Sequence, residues 1–146
     1  MKMKKWLFTG LFLLFAGMIF GQDTEWKLDK AHSKLQFVST HMKISEVTGQ
    51  FTKYSSKIMA ANNDFTDANI RVTIDVNSID TDNAKRDKHL LSDDFFDASQ
   101  YPEIRFESKS LTQVNGDRYT LKGDLTIKGV TRTVEFDVKH MGTVDA

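Results

Sequence analysis

Asp29, His32 and Ser33 place a carboxylate, an imidazole and a hydroxyl within five positions, the atoms of a nucleophilic triad. A working triad holds the imidazole between the other two groups, normally from separate elements, and no Gly-flanked nucleophile elbow is present. Neighbours on one short segment do not converge in that way. A turn in which Asp29 or Ser33 bonds to local backbone is the better reading. The four histidines, His32, His41, His89 and His140, show neither HxH nor HExxH spacing, so no metal site is expected. Asn83, Arg86 and His89 recur at i, i+3 and i+6, which stacks them along one face of a helix. An Arg fork beside an imidazole could hold an anionic head group. The alternative is that Arg86 and Asp87 form ion pairs that pin the helix to a sheet. Phe95, Phe96 and Tyr101 nearby read as satellite core more readily than as a ligand lid.

The elements that would position these groups are mostly strands. Ile70, Val72, Ile74 and Val76 alternate with Arg71, Thr73, Asp75 and Asn77, and the same period recurs at 103–113, 117–127 and 130–140. Asn115-Gly116 and Lys128-Gly129 separate these last three segments as hairpin turns, which makes them a meander. Further strands are expected at 25–29, 33–42, 46–59 and 69–77, with a bulge or break near Ser55-Ser56 where the alternation slips. The stretch 80–97 lacks the two-residue period. Thr81 or Asp82 offers an N-cap there, and Ala84, Asp87, Lys88 and Leu91 follow at helical spacing. One domain results: all-β and antiparallel, with a single helical excursion.

Strands that are wet on one face must bury the other together, in a sandwich or a barrel. Periodicity alone favours a solid core over a ligand cavity. The composition narrows the possible functions. The 146 residues carry 20 basic and 20 acidic side chains and no cysteine. A neutral chain lacks the basic surplus of a nucleic-acid binder. Without cysteine there is no disulfide framework, thiolate metal site or thiol nucleophile.

The N-terminus reads as an address. Three lysines within Met1–Lys5 precede an uncharged apolar run from Trp6 to Phe20, and Gly21 then meets polar Gln22-Asp23. That run is short for a bilayer span, so a secretory signal at 1–21, cleaved after Gly21, is expected. An uncleaved anchor is the alternative. The domain would then occupy 22–146, act in the periplasm or outside the cell, keep no stable membrane span and be mildly acidic.

Several motifs occur in one order. They are Trp26 through Asp29, His32, Ser33, Leu35, Phe37 and His41, then Val47, Gly49 and Phe51, then the run from Ser78 to Leu90. Asp94 to Asp97, Tyr101 to Phe106 and Leu121 to Thr131 complete the series. Together they resemble the YceI-like family of exported lipid-binding proteins over nearly the whole segment 26–140. The resemblance implies an antiparallel, up-and-down, lipocalin-like barrel around a long isoprenoid or similar amphiphile. It implies binding or carriage, with no catalysis, cofactor or metal. Leu35, Phe37, Phe51, Val72, Ile74, Phe106, Leu121, Leu125 and Phe136 become wall candidates, and Asn83, Arg86, His89, Phe95 and Phe96 candidates for the mouth. Ser56 stands where the family often has glycine. The family also normally continues with further strands, so a barrel incomplete at its C-terminus, from a truncated form, is expected. A ligand-free structural or stress-related interaction domain is the competing reading.

Overall fold

The computed structural model describes residues 24–41 and 45–142. The expected signal at 1–21 and its cleavage point lie outside the described residues. Among the described residues, nine strands and one α-helix follow in order, with a single 3-10 turn at Val76–Ser78: β1 (Thr24–Trp26), β2 (Leu35–His41), β3 (Ser45–Phe51), β4 (Tyr54–Ala60), β5 (Asn69–Asp75), β6 (Ile79–Asp80), α1 (Ala84–Leu90), β7 (Glu103–Asn115), β8 (Arg118–Ile127) and β9 (Val130–Lys139). Six strands form one sheet in the order β1-β4-β5-β7-β8-β9, and β2-β3-β6 form a second. Every pairing is antiparallel. The antiparallel, lipocalin-like reading therefore holds, but the described strands make two facing sheets and not one closed ring.

The segment 46–59 is two strands, and the break falls at Thr52-Lys53 instead of Ser55-Ser56. Inward residues occupy odd positions up to Phe51 and even positions from Tyr54, because the chain turns there from the small sheet to the large one. Ser78 holds this corner. Its carbonyl accepts from the Thr52 N–H at 3.1 Å, and its Oγ accepts from the Lys53 N–H at 3.0 Å. A second phase change occurs in β7. A register shift between Ser108 and Ser110 returns Leu111 to the face that carries Ile104 and Phe106. The expected meander is present, and its second turn has φ of 48° at Lys128 and 74° at Gly129, the pair of left-handed residues a type I′ hairpin requires.

Cross-strand registers place the inward side chains in rows across the large sheet. Tyr54, Ile74 and Ile104 are partners at one end, Val72, Phe106 and Leu125 in the middle, and Leu121 and Phe136 further on. One glycine in each sheet makes room for a ring: in the small sheet the Phe37 ring lies where a Cβ on Gly49 would stand, and in the large sheet the Phe106 ring does the same at Gly123.

The excursion yields a shorter helix than expected, and its N-cap is Asn83 in place of Thr81 or Asp82. Asn83 is extended (φ −152°) and its side chain accepts from the Arg86 N–H. Thr81 is engaged elsewhere, donating through Oγ1 to Asp87 Oδ1 at 2.5 Å, and Asp82 has a left-handed backbone. The segment after α1 folds back through turns so that Phe96 and Ala98 reach the core, with Phe96 6.2 Å from Phe51.

Candidate functional site

The apolar interior divides into two parts. At one end Phe51, Ile74, Val76, Ile79, Ala98 and Ile104 are buried together, Val76 at 1% exposure. Leu35, Phe37, Val72, Leu90, Phe96 and Leu125 pack around them, so both sheets and the excursion close this end. At the other end Ala60, Ala68, Leu111 and Tyr119 form a smaller cluster with Trp26, Phe65, Ile70, Leu121 and Val138 about it. A cleft of about 550 Å³ opens beside that cluster. Each strand of the large sheet contributes to its lining: Trp26 from β1, Ile58 from β4, Ile70 from β5, Leu111 from β7, Tyr119 from β8 and Val138 from β9. Phe65 enters from the loop between β4 and β5. The cleft is within the size range of small-molecule sites, and such a lining takes an apolar guest.

The wall candidates are distributed unevenly. Leu35, Phe37, Phe51, Val72, Ile74 and Leu125 all belong to the closed cluster. Leu121 sits in the second cluster. Phe106 is buried with its ring 5.4 Å from that of Phe136, which is 44% exposed. None of the nine lines the open cleft.

The mouth candidates are occupied by local bonds. Asn83 caps α1. The Arg86 guanidinium donates through Nε to Thr81 Oγ1 at 2.7 Å and through Nη2 to the Thr81 carbonyl at 2.5 Å. Asp87 Oδ1 accepts from both the N–H and the hydroxyl of Thr81. Arg86 and Asp87 thus fasten the helix to the buried Thr81 by hydrogen bonds, where ion pairs to the sheet were the alternative expected. His89 Nε2 stands 3.2 Å from Asp94 Oδ2, and its ring meets Phe95 edge-on at 4.9 Å. Asn83, Lys85, Arg86 and His89 line a polar depression of about 340 Å³ with no apolar residue in it. Phe96 is core.

The triad-like residues form a turn. Asp29 accepts from the Ala31 N–H at 3.0 Å and pairs with His32 Nδ1 at 2.7 Å. Ser33 donates its hydroxyl to the Asp29 carbonyl at 2.5 Å instead of to the imidazole. The hydrogen bond from His32 holds the Asp29 carboxyl below its ordinary pKa. A hydroxyl bonded to the main chain has no base beside it to make it a nucleophile. Among the described residues, no group of three or more His, Asp or Glu side chains is placed to hold a metal ion.

The model of the YceI-like domain matches residues 26–146. The chain belongs to that family. A UPF0312 protein of Staphylococcus aureus strain N315 is 40% identical over 119 residues, covering 82% of this chain and 67% of the relative. The crystal structure of BcnA from Burkholderia cenocepacia superposes with a TM-score of 0.74 at 30% identity, covering 80% of this chain and 73% of BcnA. A polyisoprenoid binding domain from Saccharophagus degradans shares the fold, with a TM-score of 0.58 at 20% identity, over 76% of this chain and 64% of that one.

Within this family fold, the residues that sequence reasoning missed are those of the open end. Ile70, Tyr119 and Val138 lie on alternating apolar faces and were legible as inward, though not as a cleft. Leu111 was hidden by the bulge that shifts its phase. Phe65 sits in a loop of polar residues with no period at all, and His140 follows the end of β9. His140 is fixed there by its own N–H, which donates to the Asp117 carbonyl at 2.8 Å.

Proposed function

We propose that this protein binds an apolar, isoprenoid-like amphiphile within its β-sheet interior and does so without catalysis. The cleft of about 550 Å³, to which all six strands of the large sheet contribute apolar side chains, carries this reading. Leu121 packs in the cluster beside the cleft, and Leu35, Phe37, Phe51, Val72, Ile74 and Leu125 pack together at the far end. Phe96 packs against that end, while Asn83, Arg86, His89 and Phe95 order the excursion that carries it, in place of direct contact with a head group. The description of the Saccharophagus domain as polyisoprenoid binding agrees with the reading. Affinity would come from burial of the chain, at about 0.8 kcal/mol per methylene removed from water.

The basic, then apolar N-terminus supports export with cleavage after Gly21, to the periplasm or the outside of the cell. Among the described residues no helix is long and apolar enough to cross a membrane. The test is to recover the protein from an expressing bacterium and analyse it by native mass spectrometry with extraction of bound lipid. A reproducible prenyl-type lipid is expected. Protein that is consistently empty and takes up no prenyl lipid at micromolar concentration would overturn the proposal in favour of a ligand-free interaction domain.

A further inference from the structure

Two ring nitrogens at the open cleft have no hydrogen-bond partner among the described residues. Trp26 Nε1 and His140 Nε2 are both shut off from solvent and lack a hydrogen-bond partner, although both residues line the cleft. Buried polar groups are normally satisfied, because an unmet donor costs more than a made bond returns. The Phe65 ring packs against both side chains, meeting the indole edge-on at 4.9 Å and the imidazole edge-on at 5.2 Å. Phe65 is itself in an uncomfortable position, with φ of 58°, a left-handed backbone that a bulky side chain rarely adopts. Its loop is fastened at the base, where Asp67 accepts from the N–H groups of Ala61 at 2.9 Å and Asn62 at 3.2 Å.

An aromatic ring with a left-handed backbone thus packs, at the edge of an apolar cleft, against the two side chains that carry unmatched polar atoms. We infer that Phe65 is a movable cover, and that Trp26 Nε1 and His140 Nε2 beneath it bind an uncharged oxygen, hydroxyl or carbonyl, at one end of the amphiphile. This rests on the carrier reading above and adds the chemistry of the head. The indole N–H only donates, so its partner must accept, while the imidazole can do either according to its tautomer. A charged head is disfavoured. Lys27 is exposed, and the Lys139 ammonium is half-exposed and 3.5 Å from Asp117 Oδ2, so neither supplies a desolvated cation at the two nitrogens.

The experiment compares farnesol, its saturated hydrocarbon counterpart farnesane, and farnesyl phosphate as competing probes on the full chain, read by native mass spectrometry. Farnesol is expected to bind about tenfold more tightly than farnesane, the worth of one to two hydrogen bonds made in a dry site. Trp26→Phe and His140→Phe should each reduce that preference, the ratio of farnesol to farnesane affinity, severalfold. Phe65→Ala should speed entry of both neutral probes. Equal binding of farnesol and farnesane by the wild type, or a preference that survives both ring substitutions, overturns the head site and leaves the carrier reading standing. Tighter binding of farnesyl phosphate than of farnesol overturns the uncharged head. An unchanged entry rate in Phe65→Ala overturns the cover. Failure to bind any of the three removes the carrier reading and this inference together.

Discussion

The two ends of the β-sheet interior are built from similar side chains and solve opposite problems. At the closed end, Phe51, Ile74 and Ile104 meet Phe96 and Ala98 from the excursion, so three structural layers bury one cluster. At the open end, Trp26, Ile58 and Ile70 lie on neighbouring strands of one sheet, and the Phe65 loop and the segment His140–Gly142 border them, with no strand of the small sheet among the lining residues described. Packing against a second layer is what turns an apolar face into stability. An apolar face without one remains available to a guest. The difference thus separates the part of the interior that holds the fold from the part that can exchange contents.

Phe51→Ala should show the difference most strongly. Removing this ring from the closed cluster is expected to cost about 4 kcal/mol, measured by urea denaturation. Ile58→Ala, at the cleft wall, should cost only about 1 kcal/mol because its methyl groups leave a surface that is already partly open. The same Ile58 substitution should weaken prenol binding. Equal losses of stability at the two positions would dissolve the distinction between the ends.

The fastening of the closed end gives the next effect. Asp87→Ala removes the acceptor for two donors of Thr81, which is itself only 3% exposed. Loss of about 2 kcal/mol is expected, since buried donors are left unmet. Asn83→Ala, which removes only the N-cap of α1, should cost about 1 kcal/mol in the same denaturation measurement. Neither should change farnesane affinity if the excursion closes one end and takes no part in the other. A loss of farnesyl phosphate affinity in Asn83→Ala, with farnesane affinity and stability retained, would return Asn83, Arg86 and His89 to the role of head-group contacts.

The contrast between the ends also explains what the sequence could and could not disclose. Strands with an uninterrupted two-residue period, such as β5 and β8, announce both their existence and their inward face. The split of 46–59 was visible as a phase change between Phe51 and Tyr54, but periodicity does not say whether a slip is a bulge within one strand or a passage between two sheets. Ser78, which fixes the corner, is distant in sequence and carries no signal of its own. The closed end was named through its large apolar residues because nine conspicuous wall candidates fall mainly there. A cleft is an absence of neighbours, and which inward residues lack a second layer depends on where the excursion lands. Helical spacing likewise grouped Asn83, Arg86 and His89, while the structure spends each on a different local partner.

The smallest expected effect concerns the bulge that aims Leu111 into the cleft. Lys109, at that irregularity, places its ammonium 2.6 Å from Asp124 Oδ1, and Thr133 donates its hydroxyl to the same oxygen at 2.7 Å. The hydrogen bond from Lys109, followed by that from Thr133, lowers the Asp124 carboxyl below its ordinary pKa. A carboxyl depressed in the folded state contributes stability that is fully present above its unfolded pKa of about 4 and is lost as the pH falls through the folded value. Asp124→Asn should therefore be slightly less stable than the wild type at neutral pH, with the gap narrowing as the pH drops below about 4. Both groups are partly exposed, so salt should also shrink the gap. If this network steadies the bulge, acid should loosen the hydrogen-exchange protection of β7 near Leu111 before that near Ile104. Uniform loss along β7 would mean that the two ends are one cooperative unit, whatever their packing.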